Sequence, residues 1–230
     1  MAGVRIVTDS ACDLTKERAS ELGVEVVPLS IRFGDEEYTD GVDLSATLQS
    51  ARNAAEAVKD DLRVEVVDSR SITAGLGTQV RLAVEAAQGG ASVEEVVALV
   101  EDLAGRTKVY GCLDTLDNLK KGGRIGGAQH LLGSLLAIKP IVDVSSGAVE
   151  EAGKQRTRKK ALPFLRDLVF EHDVVENLCV YHGAAPDLEE FLDLLSPRFS
   201  RDEIELGTIG PVIGTHGGPR VMGVTFQTAG

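Results

Sequence analysis

Tryptophan is absent and aromatic residues make up only 4% of the chain, so a core has to be packed from Val, Leu, Ile and Ala. Those are the residues of buried parallel strands and the helices that cover them. Cysteine is scarce: Cys12, Cys112 and Cys179 are odd in number and share no metal-ligand spacing. That excludes a disulfide scaffold and a zinc cluster, and leaves reduced thiols acting as small core or loop residues in a cytoplasm. No apolar run approaches the roughly 18 residues of a membrane helix, and the first residues lack a signal-peptide pattern. Positive charge is in deficit, with 24 Lys and Arg against 36 Asp and Glu and a formal net charge of −12. Long-range repulsion of phosphates then argues against a nucleic-acid surface and allows at most transient membrane contact, although a local basic patch stays open. Catalytic signatures are missing too. The chain has no P-loop, no G-x-S-x-G elbow and no H-E-x-x-H, and "GLGTQV" is too short a match for a dinucleotide fingerprint. No self-sufficient enzyme is visible, and no cofactor of its own is expected.

What remains is an ordinary globular composition: 230 residues, 43% hydrophobic, with a mean hydropathy of +0.02. "VRIVTDS" at 4–10 is a short apolar run ending in polar residues, and "LTKERASELG" follows with helical spacing and a Gly stop. "VEVVPLSIRF" reads as another strand and "GDEEYTDG" as a tight polar turn or hairpin. "RVEVVDS" at 63–69 is expected to be a strand feeding the helix of "AGLGTQVRLAVEAAQGG". "SVEEVVALVEDLAG" is a second helix, with a Ser cap and Glu three residues on, and "VYGCLD" closes the first half. Strands alternating with helices imply an α/β fold with a parallel sheet, whose ligands gather beyond the strand carboxyl ends.

After residue 113 the pattern changes. A basic helix end, a Gly-rich stretch and the apolar helix of "LLGSLLAI" lead to strands around an "SSG" turn. "RTRKKALPFLRDLVFEH" is a helix with a basic start, "NLCVYHG" a strand, "PDLEEFLDLLSPRF" an amphipathic helix, and "DEIELGTIG" and "VMGVTFQT" are strand-like. The expected organisation is an N-terminal α/β domain over 1–113 and an α+β C-terminal domain over 114–230, sharing a cleft.

Polar residues concentrate in "TDSACD", "KKGGRIGG", "KQRTRKK" and "GPVIGTHGGPR". The last places His216 on Gly-flanked loop backbone, able to bring imidazole and N–H groups to an anion. A loop histidine bonding its own backbone is the plainer reading. Arg124 lies between two Gly pairs. Arg156 and Arg158 stand at a helix start, where positive charge opposes the dipole, unless they only form a solvated basic face. Asp9 and Ser10 orient a ligand or cap the following helix.

Taken together, "TDSACDL", "VVPLSIRFGDEEYTDGVDLS", "VVDSRSITAGLG", "LDTLDNLKKGGRIGGA", "LLGSLLAIKPIVDVSSG", "RTRKKAL" and "GPVIGTHGGP" resemble the DegV family, in order and along nearly the whole chain. The resemblance implies a two-domain α/β protein holding one long-chain fatty acid between its domains. It implies further that the protein is the binding subunit of a fatty-acid kinase, presenting the carboxylate to a separate ATP-binding subunit that makes acyl phosphate for phospholipid synthesis. His216 and Thr215, with Asp9 and Ser10, are then candidates for the ligand site. Arg124, Arg156 and Arg158 are candidates for phosphoryl transfer or kinase docking. A short lipid carrier or sensor working without a kinase is the alternative, and an enzyme or regulator of another kind on the same scaffold is a third. "THGGPR" replaces the family's usual "THTGPG", so Gly217 removes a hydroxyl and Arg220 adds a charge.

One stretch breaks the alternation of strands and helices. "GVDLSATLQSARNAAEAV" at 41–58 is a loop turning straight into a helix with no parent strand before it. Family members carry a few dozen residues between a "DGVDLS"-like loop and an "LSGTYQSA"-like helix start, including a Thr-Ser-Gln-Pro-Ser motif, a helix and a buried strand ending in paired serines. Here the two edges are fused, with Leu44 and Ser45 common to both. By resemblance the lost Thr and Ser are those that hold the carboxylate. Ser45 and Thr47 stay beside a helix N-terminus that favours an anion.

Overall fold

In the computed structural model the described residues are 3–29, 31–33, 36–38, 44–128 and 138–230, with the backbone alone at 31–33, 36–38 and 44–47. The apolar stretch 131–137 and the loop 40–43 lie outside them. Strand β1 (Val7–Asp9) leads through a 3-10 turn at Ser10–Cys12 into helix α1 (Lys16–Leu22) and strand β2 (Glu25–Val27), which pairs parallel with β1. Thr15 caps α1 by accepting the Arg18 N–H, and Gly23, in the left-handed region at φ 68°, ends it. The expected single strand "VEVVPLSIRF" is divided into β2 and β3 (Ile31–Phe33), with Pro28 between them. β3 forms an antiparallel hairpin with β4 (Glu36–Tyr38). Helices α2 (Leu44–Ala57), α3 (Thr73–Gln88) and α4 (Val93–Arg106) follow, α4 opened by the expected Ser92/Glu95 capping box.

The rest of the chain builds one six-stranded sheet from β5 (Thr107–Cys112), β6 (Lys139–Asp143), β7 (Glu150–Gln155), β8 (Glu176–His182), β9 (Glu205–Thr208) and β10 (Met222–Gln227). Its order is β7-β6-β5-β10-β8-β9, antiparallel except at the β8–β9 edge. Between these strands run α5 (Asp117–Lys121), α6 (Arg158–Phe170), α7 (Leu188–Leu195) and α8 (Pro211–Gly217). The period-2 alternation of β10 explains the layering. Met222, Val224 and Phe226 point to a face where Leu162, Leu165, Phe191 and Leu195 of α6 and α7 cover them, all within 1% of full burial. Gly223 and Thr225 point to the other face, toward α3, α5 and α8.

Two expectations need correction. Strand β5 does not close a first half: it lies in the middle of the six-stranded sheet, paired with β10 on one side and β6 on the other. The stretch 63–69 is no strand. Among the described residues it has no ladder partner, and its polar ends are tied locally, the Arg70 N–H donating to Asp68 Oδ1 at 3.0 Å. Its β-branched run is a strand sequence without a neighbouring strand. Among the described residues β1 pairs with β2 alone. Helix α2 projects with little cover, for of its described side chains only Leu48 and Ala55 are even half-buried.

Candidate ligand cavity

A cavity of about 370 Å³ lies on the sheet face opposite α6 and α7. Its floor exists because Gly111 of β5 and Gly223 of β10 sit directly opposite each other in the antiparallel register. Two adjacent strands therefore present bare backbone where side chains would otherwise stand. A Cβ at Gly223 would meet nothing closer than the Tyr181 carbonyl oxygen at 3.5 Å, so the space above it is open. Val109, Val142, Val144 and Val221 wall the furrow, Ala11, Leu29 and Ile72 reach it from the N-terminal elements, and Val212 and Ile213 of α8 complete it. Against this apolar lining stand two basic groups, Arg124 and His216.

The "GPVIGTHGG" segment is helix α8 rather than the expected loop. Pro211 pre-sets φ at its first position, and the Gly210 N–H donates to Asp13 Oδ1 at 3.0 Å. Asp13 thus fastens the first turn of α8 to the 3-10 turn after β1. The Thr215 hydroxyl donates back to the Pro211 carbonyl at 2.7 Å, so Thr215 serves the helix, and it is not among the residues that line the cavity. His216 stands in the last turn, its ring packed on bare Gly122, where a Cβ would overlap it. Of the glycines in "KKGGRIGG", Gly122 is the one that admits the imidazole, while Gly126 and Gly127 lie against the backbone of Val149. Its Nδ1 is buried there with no hydrogen-bond partner, which leaves Nε2 as the nitrogen able to meet a ligand. Burial first, and the nearby Arg124 charge second, hold the imidazole pKa below its ordinary value, so the ring is neutral at neutral pH.

Of the other anticipated residues, Asp9, Ser10, Arg156, Arg158 and Arg220 are not among those that line this cavity, whereas Gly217 is. Asp9 accepts the Ala11 N–H at 2.8 Å and caps the 3-10 turn, the plainer of the two readings given to it. Ser10 Oγ accepts the N–H of the wall residue Leu29 at 3.1 Å, and so ties the chain after β2 to the 3-10 turn. Ser45 and Thr47 lie in the first turn of α2, with side chains outside the described residues. Arg156 is exposed just before α6. Arg158 is turned inward: its side chain is 11% exposed and forks onto Asp187 through Nε at 2.7 Å and Nη2 at 2.9 Å. Arg220, the residue that departs from the family pattern, is 3.4 Å from Asp114 Oδ2, and Asp114 also holds Lys139 at 2.9 Å. Arg158 Nη1 lies 3.8 Å from the same carboxylate, so Arg220 shares Asp114 with two other cations. Gly217 packs close to Val221, which a Cβ would meet at 3.3 Å.

The three cysteines behave as inert thiols. Burial pushes Cys12 and Cys112 up to about 11 and Cys179 up to about 12. Among the described residues no group of His, Cys, Asp or Glu could hold a metal ion, and no helix is long and apolar enough to cross a membrane. Sequence reasoning missed Asp13, the Gly111–Gly223 pair and Asp187. Only the glycines carried a readable signal, since a lone Gly inside an apolar strand marks a close approach.

The family model described as "Uncharacterised protein, DegV family" matches residues 3–47 and 42–229. The two matched pieces overlap at 42–47, so the chain meets the model there twice. A DegV domain-containing protein of Streptomyces coelicolor is 31% identical over 276 positions, covering 98% of this chain and 98% of that one. One of Deinococcus radiodurans is 33% identical over 285 positions, covering 97% and 98%. Even the first alignment is at least 46 positions longer than this 230-residue chain. Among solved structures, the fatty-acid-binding DegV family protein of Thermus thermophilus is 27% identical with a TM-score of 0.82, covering 99% of this chain and 100% of that one. DegV of Bacillus subtilis, a fatty-acid-binding protein, shares the fold at 24% identity and a TM-score of 0.83, covering 99% of each.

Proposed function

Since the chain belongs to the DegV family, we propose that it holds a long-chain fatty acid with the tail in the apolar furrow and the carboxylate at the Arg124–His216 end. A separate ATP-binding kinase subunit then converts that carboxylate to acyl phosphate, and the exposed Arg156 meets the partner or the transferring phosphoryl group. The observation that carries this reading is the cavity itself, apolar along most of its walls with Arg124 and His216 among its lining residues. Its volume is in the range of about 300–1,000 Å³ usual for small-molecule sites. Each methylene taken out of water contributes about 0.8 kcal/mol, so the tail supplies most of the affinity and the basic end its direction. On this reading Ala11, Leu29 and Ile72 of the N-terminal elements supply the cavity's upper wall, and β5 and β10 its floor. The absence of a membrane-spanning helix among the described residues suits a cytoplasmic carrier.

Mass spectrometry of lipid extracted from the purified protein tests the first half. A stoichiometric fatty acid is expected, and another lipid class or none overturns it. Incubation with a fatty-acid kinase subunit and ATP tests the second half, acyl phosphate being the expected product. The alternative, a carrier that works without a kinase, is favoured by the 46 or more positions that relatives have and this chain lacks. Bound fatty acid with no acyl phosphate formed would select it.

Proton linkage gives a sharper check. The free imidazole of His216 has a lowered pKa, and a carboxylate placed against it raises that pKa by favouring the charged form. Binding therefore takes up a proton, and affinity rises as pH falls through the complex's pKa, levelling off below that of the free protein. His216→Gln is expected to weaken binding and to remove the slope, measured by titration calorimetry in buffers of different ionisation enthalpy.

A further inference from the structure

Val221, just ahead of β10, and Thr225 within it both line the cavity. At about 3.3 Å per residue they stand roughly 13 Å apart along the sheet. His216 belongs to the Val221 end, since the neighbouring Gly217 packs on Val221. At the other end Thr225 stands opposite Val109, and the first turn of α3 closes the space there. Gly75 packs on Val109, which a Cβ would meet at 3.2 Å, and Ile72 and Thr73 line the cavity beside it.

That turn has more hydrogen-bonding capacity than it uses. Helix α3 runs for 16 residues, yet no side chain caps it and no acidic residue stands in its first turn. The Gly75 N–H is bonded to the Ile72 carbonyl at 3.1 Å, and the N–H groups of Thr73 and Ala74 come before that bond, where a helix has no carbonyl to offer. Thr73 is 6% exposed, and its hydroxyl has no partner among the described residues. Ser71, 1% exposed and packed on Gly75, likewise keeps an unpaired Oγ. A polar group buried without a partner is costly, so a ligand atom that pairs with it is favoured. A plain hydrocarbon tail has no such atom.

We propose that the furrow takes an acyl chain carrying an oxygen on its tail, a hydroxyl or a second carboxyl group, which accepts from the start of α3 and meets the Thr73 hydroxyl. This rests on the reading that a fatty acid lies in the furrow with its carboxylate at Arg124 and His216. A free N–H only donates, whereas a hydroxyl donates or accepts, so an acceptor oxygen satisfies both. Where that oxygen is charged, the helix dipole adds to the attraction. The ligand is then held at two points, and the distance between them selects the position of the oxygen along the chain. Thr73 is the residue that sets this specificity.

Titration calorimetry on the full chain tests the proposal with a saturated long-chain fatty acid, monohydroxylated acids of the same length that differ in hydroxyl position, and dicarboxylic acids of graded length. The plain acid is expected to bind, and one hydroxyl position or one diacid length to bind about tenfold tighter. A gain with the hydroxylated acids identifies a neutral oxygen as the group recognised, and a gain confined to the diacids an anionic one. Thr73→Val keeps the shape of the side chain without its hydroxyl and should bring the ratio of oxygenated to plain affinity close to one. Thr73→Ser should restore the ratio, and Thr73→Ala is the second variant should valine not fold. Binding of the plain acid with no oxygenated acid favoured, or an equal gain at every position, overturns this inference alone. Failure of every acid to bind overturns it together with the fatty-acid reading beneath it. A preference indifferent to loss of the Thr73 hydroxyl, in protein with unchanged circular dichroism, overturns the assignment to α3.

Discussion

Strand β10 and the stretch 63–69 are written in the same alphabet, "MGVTFQ" against "RVEVVDS", yet one is the centre of a sheet and the other has no ladder at all. Val224 is fully buried between β5 and β8, whereas Val64 is 42% exposed and Leu62, just before it, 62%. β-branched composition is a statement about fitting a pleated, half-covered surface, not a backbone preference strong enough to act alone. A strand forms where a neighbouring strand takes its hydrogen bonds. In the C-terminal sheet every central strand has two neighbours, whereas 63–69 has none among the described residues.

The largest contrast in stability should therefore lie between the two regions. Phe226→Ala in β10 removes a ring that is fully buried and packed near Tyr110 and His172. A loss of about 3–5 kcal/mol is expected from such a truncation, read from the denaturation midpoint at constant slope. A loss under about 1 kcal/mol would mean that the sheet is not the cooperative core.

Next comes the ion pair that anchors the start of α6. Arg158→Met leaves the Asp187 carboxylate, 14% exposed, without its fork. The expected cost is about 2–3 kcal/mol, somewhat below that of breaking a fully buried pair. The sign with pH can be worked out. Asp187 is desolvated, which raises its pKa, but the Arg158 hydrogen bonds and charge outweigh that and hold it below the usual carboxylate value. Its contribution is present above the ordinary aspartate pKa and is lost as pH falls through the lowered one. The gap between wild type and variant should accordingly narrow below about pH 4, and a constant gap from pH 7 to pH 3 would contradict the pairing.

Much of this architecture was legible. The α4 capping box, the Gly23 stop, the hairpin at 31–38 and the alternation of β10 follow from local rules, and the structure has them. Three things were not legible, each for a reason of distance. That β5 belongs to the later strands depends on pairing with β10 more than a hundred residues on. Arg158 looked like a helix-start cation until Asp187, 29 residues away, took its guanidinium. Asp13 reads as one more polar residue in "TDSACD", and only the fold brings it to the Gly210 N–H. His216 is the mixed case. Its glycine-rich setting marked it, but its position in a short helix and its packing on Gly122 needed coordinates.

A smaller effect on stability, and a larger one on binding, is expected at the cavity floor. Gly223→Val places methyl groups in open space, and a strand interior favours Val over Gly, so stability should change by less than about 1 kcal/mol. The added volume displaces two or so tail carbons, which at about 0.8 kcal/mol per methylene weakens a long-chain fatty acid by roughly tenfold. A short-chain acid that never reaches the furrow should be indifferent. Equal weakening of both would place the tail elsewhere.

The smallest effect should come from the stretch without a ladder. Leu62→Ser and Val64→Thr remove exposed apolar surface and no buried contact, so each is expected to move stability by less than about 0.5 kcal/mol. Hydrogen exchange supplies the matching observation, because amides that lack a ladder exchange through local fluctuation rather than global opening. Those of 64–67 should exchange orders of magnitude faster than those of β5 and β10. Mutating the two residues and measuring exchange are independent, so they can disagree usefully. A cost above about 1.5 kcal/mol together with slow exchange would show that 63–69 is a paired strand in solution and that its partner is a neighbour the isolated chain acquires.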